Sequence, residues 1–370
     1  MQAFVDVVCI IAGVAAVAFV LDAAVRTFVV PRGSVVLFTV VVFRSIRKIF
    51  LLFASPRRGY EARDRVMAIY APVALLALPL ASMIVVYFAF ALIYFGIEER
   101  GWRNALMTSG SSLLTLGFER PPDLAAAFAV FAEAIIGLAL LALLIAYLPT
   151  IYNSFSRREV AVTDLAIRAG TPPTPRDMLV RAHRTGFLYE MDGFWASWMA
   201  WFTEVQETHT TYGSLAFFRS PNPHRSWITA AGAVLDTASV RLAVLDIPWT
   251  PSAPLCIRSG YLALREVAGF YGFDYDEDPA ADAPISVSRA EFEDMYAQLI
   301  DAGVPVRADH DAAWRDFAGW RVNYDRVLIA LAAYVMAPYA PWSSDRSPVE
   351  PLHYYAWGPR RVAITRRSQR

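Results

Sequence analysis

The chain has 370 residues, 56% of them hydrophobic and 18% charged, with a mean hydropathy of +0.37; it is too apolar for an ordinary soluble protein and reads as a membrane protein with a large soluble part. Its 34 basic and 34 acidic residues cancel, and no basic face with interleaved aromatics appears, which argues against a nucleic-acid partner. Cys9 and Cys256 lie in very different regions, so neither a disulfide framework nor a cysteine-based metal site is expected.

The first apolar run, Val7–Leu21, is bounded by Asp6 and Asp22. With its flanks, residues 1–30, it is long enough to cross or insert, and the positive start of a signal peptide is missing, because no Lys or Arg precedes Arg26. Residues 31–65 form a basic segment. Within it, residues 35–53 interrupt their apolar run with Arg44, Arg47 and Lys48, the pattern of an amphipathic helix lying in the membrane interface. Residues 66–97 contain no Asp, Glu, Lys or Arg, and residues 124–156 contain only Glu133. Each run exceeds the roughly 20 residues that cross a bilayer, so both are read as transmembrane helices.

Orientation follows the basic residues. Arg26, Arg32, Arg44, Arg47, Lys48, Arg57, Arg58, Arg63 and Arg65 lie between Asp22 and Val66, and Arg157 and Arg158 follow the last span. These ends are expected in the cytoplasm, which puts the N-terminus and the connection 98–123 outside a cell membrane crossed several times. That connection holds a helix-forming stretch, residues 102–114, broken by Thr115-Leu116-Gly117-Phe118. A chain that enters the membrane as a short helix and returns extended exposes backbone carbonyls, which is tolerated only where they are buried in protein or line a watery cavity. Aligned carbonyls can replace the hydration shell of a cation.

The order of span, short helix, Thr115-Leu116-Gly117-Phe118, Pro121-Pro122 and a span with Glu133-Ala134-Ile135-Ile136-Gly137 resembles the pore domain of bacterial potassium channels with one pore loop per subunit. The resemblance covers about residues 66–155. That family's filter reads Thr-Val-Gly-Tyr-Gly; here Leu116 and Phe118 stand for Val and Tyr, and Glu119 stands where the second glycine is expected. Glycine there accepts positive φ, which a residue with a Cβ adopts at a cost of roughly 1 kcal/mol. The resemblance implies that the carbonyls of Thr115, Leu116, Gly117 and Phe118 coordinate ions, with the Thr115 hydroxyl innermost and Glu119 at the outer mouth. Glu133 would support the filter from behind, hydrogen-bonding the loop backbone or the Ser111 and Ser112 hydroxyls. Gly137 either bends the inner helix as a gating hinge or allows close helix packing, and Pro149 marks a kink or the helix end.

One pore loop cannot enclose a conduction path, so the resemblance implies a homotetramer in the lipid bilayer, conducting potassium or another monovalent cation passively, without a cofactor. The fold class expected is an all-α membrane protein: an N-terminal span (1–30), a basic segment (31–65), a pore domain (66–156) and an all-α cytoplasmic domain (157–370). The pore domain divides into helix 66–97, a re-entrant pore helix 102–114, filter 115–119 and helix 123–155. Two alternatives are a non-selective cation channel and a non-conducting membrane-anchored sensor or binding protein on a pore-like scaffold. An enzyme is not expected, since no G-x-S-x-G, H-E-x-x-H or phosphate loop is present.

In residues 157–370, Phe194, Trp195, Trp198, Trp201 and Phe202 recur at one-face spacing, as do Trp314, Phe317, Trp320, Tyr324 and Leu328, and both stripes are read as helical core. Ser288 with Glu291 predicts a capping box, and Gly170 with Thr171-Pro172-Pro173 predicts a helix end. No regulatory ligand is identified. Glu204, Glu207, His209, His224 and Asp236 are read as polar core or cap residues rather than metal ligands. Asp274, Asp276, Glu277, Asp278 and Asp282 are read as a solvated acidic loop. The uncharged run 327–342 is assigned to the soluble core, and Arg360, Arg361, Arg366, Arg367 and Arg370 to a basic tail.

Overall fold

The computed structural model describes residues 2–28, 36–54, 59–97 and 101–346. The regular elements among the described residues are all helices, and their only ladder-like pairing is an isolated antiparallel bridge between Leu245 and Val306. They divide into two compact units, Met1–Asn153 and Ser154–Arg370.

The first unit contains α1 (Gln2–Phe28), α2 (Leu37–Phe53), α3 (Tyr60–Ile97), α4 (Trp102–Leu113) and the first part of α5 (Leu124–Ala169). Small residues let α1 and α3 pack antiparallel at short range. A Cβ on Gly13 would lie 2.5 Å from the Ala89 carbonyl oxygen, and one on Gly96 would lie 2.5 Å from that of Asp6. Such contact is how apolar helices associate where lipid removes the hydrophobic drive between them. The amphipathic α2 packs beside them, with Thr27 and Thr39 hydroxyls 2.8 Å apart and Phe38 edge-on to Phe19.

Three helices of this unit, α1, α3 and α5, are long and apolar enough to cross a membrane. Phe4, Ile11, Ile84, Phe88, Phe128 and Ile135 are among the large apolar side chains they leave exposed. Monomeric soluble proteins rarely expose contiguous apolar surface on this scale, and the chain is accordingly membrane-associated.

Two boundaries differ from the sequence reading. Helix α3 begins at Tyr60, inside the segment assigned to the basic linker, and α5 continues through Pro149 to Ala169 instead of ending near residue 155. A proline removes one backbone donor, and the rest of the ladder can carry a helix past it.

In the second unit, the tail of α5 is followed by α6 (Pro175–Arg184), α7 (Asp192–Thr211), α8 (Trp227–Val244), α9 (Ser252–Phe270), α10 (Arg289–Asp301), α11 (His310–Arg321) and α12 (Asp325–Tyr334). Helix α8 also has the length and apolarity of a span, yet Leu242 alone among its residues escapes full burial. An all-round apolar helix is what the centre of a helical domain requires, and α8 fills that place here. The stripe Phe194, Trp195, Trp198, Trp201, Phe202 is buried on α7. The second aromatic series is not one helix face: α11 ends at Arg321, and Tyr324 and Leu328 belong to the start of α12. The capping box of Ser288 and Glu291 opens α10, and Gly170, at φ 82°, follows the end of α5. Residues 327–342 run through α12 and its following turn, largely buried.

The polar residues weighed as metal ligands are dispersed. His209 is buried beside Arg158, Asp236 pairs with Arg321, Glu204 pairs with Arg157, and Glu207 is exposed on α7. Arg158, counted above as a charge at the cytoplasmic end of a span, is fully enclosed in the second unit. It donates to the carbonyls of Leu215 (2.9 Å) and Phe218 (2.7 Å) and to Glu159 (2.8 Å). The acidic residues 274–282 form the loop after α9. The basic tail from Arg360 lies outside the described residues.

Candidate functional site

The site is built on α4, whose 12 residues are too few to cross a bilayer, which takes about 20. Trp102 at its start stacks on Phe95 of α3 with ring centroids 4.5 Å apart, while Ser109 further along lies 2.9 Å from the Tyr87 carbonyl. Advancing along α4 thus goes back along α3, so the chain turns and returns beside the helix it has just left. Its other side meets α5. The Ser112 hydroxyl donates to the Val130 carbonyl at 2.7 Å, and a Cβ on Gly137 would lie 2.5 Å from the Leu113 carbonyl oxygen. Asp123 then caps α5 by accepting from the Ala126 amide at 2.8 Å.

Glu133 sits fully buried where α3, α4 and α5 meet. Its two oxygens take different partners: the Tyr94 hydroxyl at 2.9 Å and the Ser109 hydroxyl at 2.5 Å. Of the expected partners, Ser112 also reaches the Glu133 carboxyl, besides donating to Val130, while Ser111 serves the loop. Tyr94 and Ser109 were missed by the sequence reading. Ser109 had a signal, since it lies one turn before Ser112 on the same helix face; Tyr94 had none, because its proximity to Glu133 depends on tertiary packing.

Ser111 organises the segment 115–119. Its carbonyl accepts from the amides of Leu116 (2.8 Å) and Gly117 (3.2 Å), and its hydroxyl accepts from those of Phe118 (3.0 Å) and Glu119 (3.1 Å). The Thr115 amide bonds the Ser112 carbonyl at 2.9 Å. Four consecutive N–H groups are therefore turned toward one residue. In a trans peptide each N–H points opposite to the carbonyl of the residue before it, so the carbonyls of Thr115, Leu116, Gly117 and Phe118 face away from Ser111. All five residues of the segment are exposed in the single chain.

Positive φ falls at Thr115 (53°) and Gly117 (71°), and Glu119 is not among the residues that adopt it. The backbone cost expected at Glu119 is absent there. The left-handed turn sits instead at Thr115, two residues past the end of α4, and at Gly117, which accepts it freely. Gly137 packs against Leu113, the close approach that the packing alternative requires. At Pro149 the helix runs on, with the neighbouring Thr150 hydroxyl bonding the Ala146 carbonyl at 3.2 Å.

Comparison of the chain with models of known protein families, with curated proteins and with solved structures returns no match, so the functional reading rests on the geometry above.

Proposed function

We propose that the chain forms a homotetrameric cation channel of potassium-channel type, conducting passively through a pore lined by segment 115–119 of each copy. The observation that carries this reading is that four successive amides all bond Ser111, so that none of the carbonyls before them faces it. These amides are consumed by Ser111, which leaves the oxygens of Thr115 to Phe118 for a partner on the other side. Oxygens without backbone donors at membrane depth are tolerable only where something polar, such as water or a cation, meets them. One chain presents a row of such oxygens but encloses nothing; several copies around an axis would close the site.

In this reading Glu133, Tyr94 and Ser109 hold α4 against the two long helices behind the filter, and Glu119 contributes a ring of carboxylates at the outer mouth. With a carboxylate in place of the second glycine, the filter discriminates potassium from sodium less sharply than the family's pattern. The exposed apolar faces of α1, α3 and α5 meet lipid or neighbouring copies, with the N-terminus outside and residues 157–370 in the cytoplasm.

Purified protein reconstituted in liposomes, with potassium and sodium gradients imposed separately, tests this. Cation flux is expected, and Glu119→Gly is expected to raise potassium preference in the reversal potential. Tetramers without flux would instead favour a non-conducting sensor on the same scaffold, and a stable monomer in mild detergent would sink the channel reading.

A further inference from the structure

A cavity of about 240 Å³ opens in the second unit, between the start of α12, α9 and the acidic loop. Its lining is mostly apolar, with Pro279, Ala283, Val322 and Ile329 forming much of the wall, and Arg265 of α9 at its polar side.

Arg265 is 7% exposed. Its guanidinium donates to the Asn323 carbonyl (2.9 Å), the Glu277 carbonyl (2.8 Å) and the Asn323 side-chain oxygen (3.3 Å). Every one of these acceptors is neutral; the guanidinium carbon lies 4.6 Å from the centre of the Tyr261 ring, and the nearby Asp276 and Glu277 carboxylates favour its charge without hydrogen-bonding it. Three of the five N–H groups of the fork are used, leaving one on each terminal nitrogen. Hydrogen-bonded only to neutral groups, the guanidinium keeps donors that an anion could take. The carboxylates that also line the cavity make no hydrogen bond to Arg265. Both Asp325 oxygens are taken, one by Arg321 (2.7 Å) and the Ser286 hydroxyl (2.6 Å) and the other by the Ser286 amide (2.9 Å), while Asp276 accepts from the amide of Asp278 (3.0 Å).

We propose that this cavity binds a small monocarboxylic acid with an apolar body, its carboxylate received by the two remaining N–H groups of Arg265 and its body by the apolar wall. The charge around the site selects the ligand class. The lining sets two cations, Arg265 and Arg326, against Asp276 and Asp325, so a single negative charge is met more easily than a phosphate dianion. The volume, below the usual few hundred ångström cubed of drug-sized sites, suits an aromatic or branched-chain acid. The site gives the second unit a chemical input of its own and does not depend on whether the first unit conducts.

Calorimetric titration of the full chain in detergent with benzoate and isovalerate, against their uncharged amides benzamide and isovaleramide and against inorganic phosphate, tests the proposal. At least one acid is expected to bind saturably and about tenfold or more tighter than its amide, as a charge-assisted pair requires. Arg265→Gln should abolish that preference. Because Arg265 also holds two backbone carbonyls and its loss can unfold the domain, Ala283→Leu, a loop substitution that fills the cavity, provides a second variant expected to lose binding while keeping the fold. No saturable binding of either acid, equal binding of acid and amide, tighter binding of phosphate, or full binding to Ala283→Leu would each overturn it.

Discussion

Gly137 of α5 and Leu113 of α4 approach so closely that no side chain fits between them: a Cβ on the glycine would lie 2.5 Å from the leucine carbonyl oxygen and 3.1 Å from a Leu113 methyl carbon. Backbone oxygen cannot move aside as a flexible side chain can, so Gly137→Ala must part the two helices. Overpacking of this kind costs about 1–3 kcal/mol. The expected outcome is a lower melting temperature in detergent and a loosened segment 115–119. A hinge at Gly137 would instead leave the melt nearly unchanged and alter only opening, which single-channel recording would show.

Glu133 ties the same helices through its side chain. Glu133→Ala removes the carboxylate that joins the Tyr94 and Ser109 hydroxyls, Ser109 keeping the Tyr87 carbonyl, and should destabilise the first unit by about 1–3 kcal/mol. Tyr94→Phe removes one hydrogen bond and should cost about 0.5–1.5 kcal/mol. If the pair acts together, the double variant will be less damaged than the sum of the two, since neighbouring losses are not additive. Strict additivity in thermal unfolding would show that the contact carries no coupling.

The second unit has its own buried charge set. Arg321, fully enclosed on α11, donates to Asp236 on α8, to Asp325 at 2.7 Å and to the Trp342 carbonyl, while the Tyr324 hydroxyl donates to Asp236 at 2.8 Å. Removing the cation alone leaves two carboxylates buried together, so Arg321→Met should cost about 3–5 kcal/mol, where breaking such sets usually falls. Arg321→Lys should rescue little, because an ammonium cannot span partners on three sides as a planar fork does. Tryptophan fluorescence during denaturant titration reads both.

These residues also show where sequence reasoning stops. The uncharged runs 66–97 and 124–156 were legible because crossing a bilayer leaves a compositional trace, and the break after α4 because Thr-Leu-Gly-Phe interrupts a helical pattern. The capping box at Ser288 was legible because its partners are three residues apart. Asp236 and Arg321 stand far apart in the chain, and no periodicity links them. The length of α5 misled, since Pro149 and the arginines after it resemble a helix end, whereas Arg158 continues the helix into carbonyls of its own unit. The strain expected at Glu119 was borrowed from a resemblance, and the backbone here turns at Thr115 and Gly117 instead.

Acid should probe α10. Burial alone would raise the Glu291 carboxyl, yet the hydrogen bonds from Arg346 and Ser288 outweigh it and hold the group at about 2, below its ordinary 4.5. A depressed folded value means that the unfolded chain binds the proton first as pH falls. The stabilisation is therefore complete above about pH 4.5 and is lost between there and about pH 2. Its size is modest, because Glu291 is partly exposed and solvent screens the pair with Arg346. Glu291→Gln should flatten the stability profile in that window and leave it unchanged in slope near neutrality. An equally steep acid limb in the variant would assign it to other carboxylates.

Ser111 gives the sharpest test of the loop, because its two oxygens serve different residues. Its hydroxyl accepts from the Phe118 and Glu119 amides, while its carbonyl, which no substitution removes, accepts from those of Leu116 and Gly117. Ser111→Ala should free the first pair and keep the second. Each lost bond is worth about 0.5–1.5 kcal/mol, so the amides of Phe118 and Glu119 should exchange with solvent about 2–10 times faster, with smaller changes at Leu116 and Gly117. Freed peptide groups can rotate, so that the carbonyls of Gly117 and Phe118 no longer face away from Ser111. Ion flux in liposomes should then fall more than thermal stability does. Ser111→Thr keeps a hydroxyl in reach and should recover part of both the exchange protection and the flux. Hydrogen exchange read by mass spectrometry on overlapping peptides across 112–121 separates the two pairs. Uniform acceleration of all four amides would mean that the hydroxyl holds the whole turn together, and unchanged exchange at Phe118 and Glu119 would remove Ser111 from its organising role.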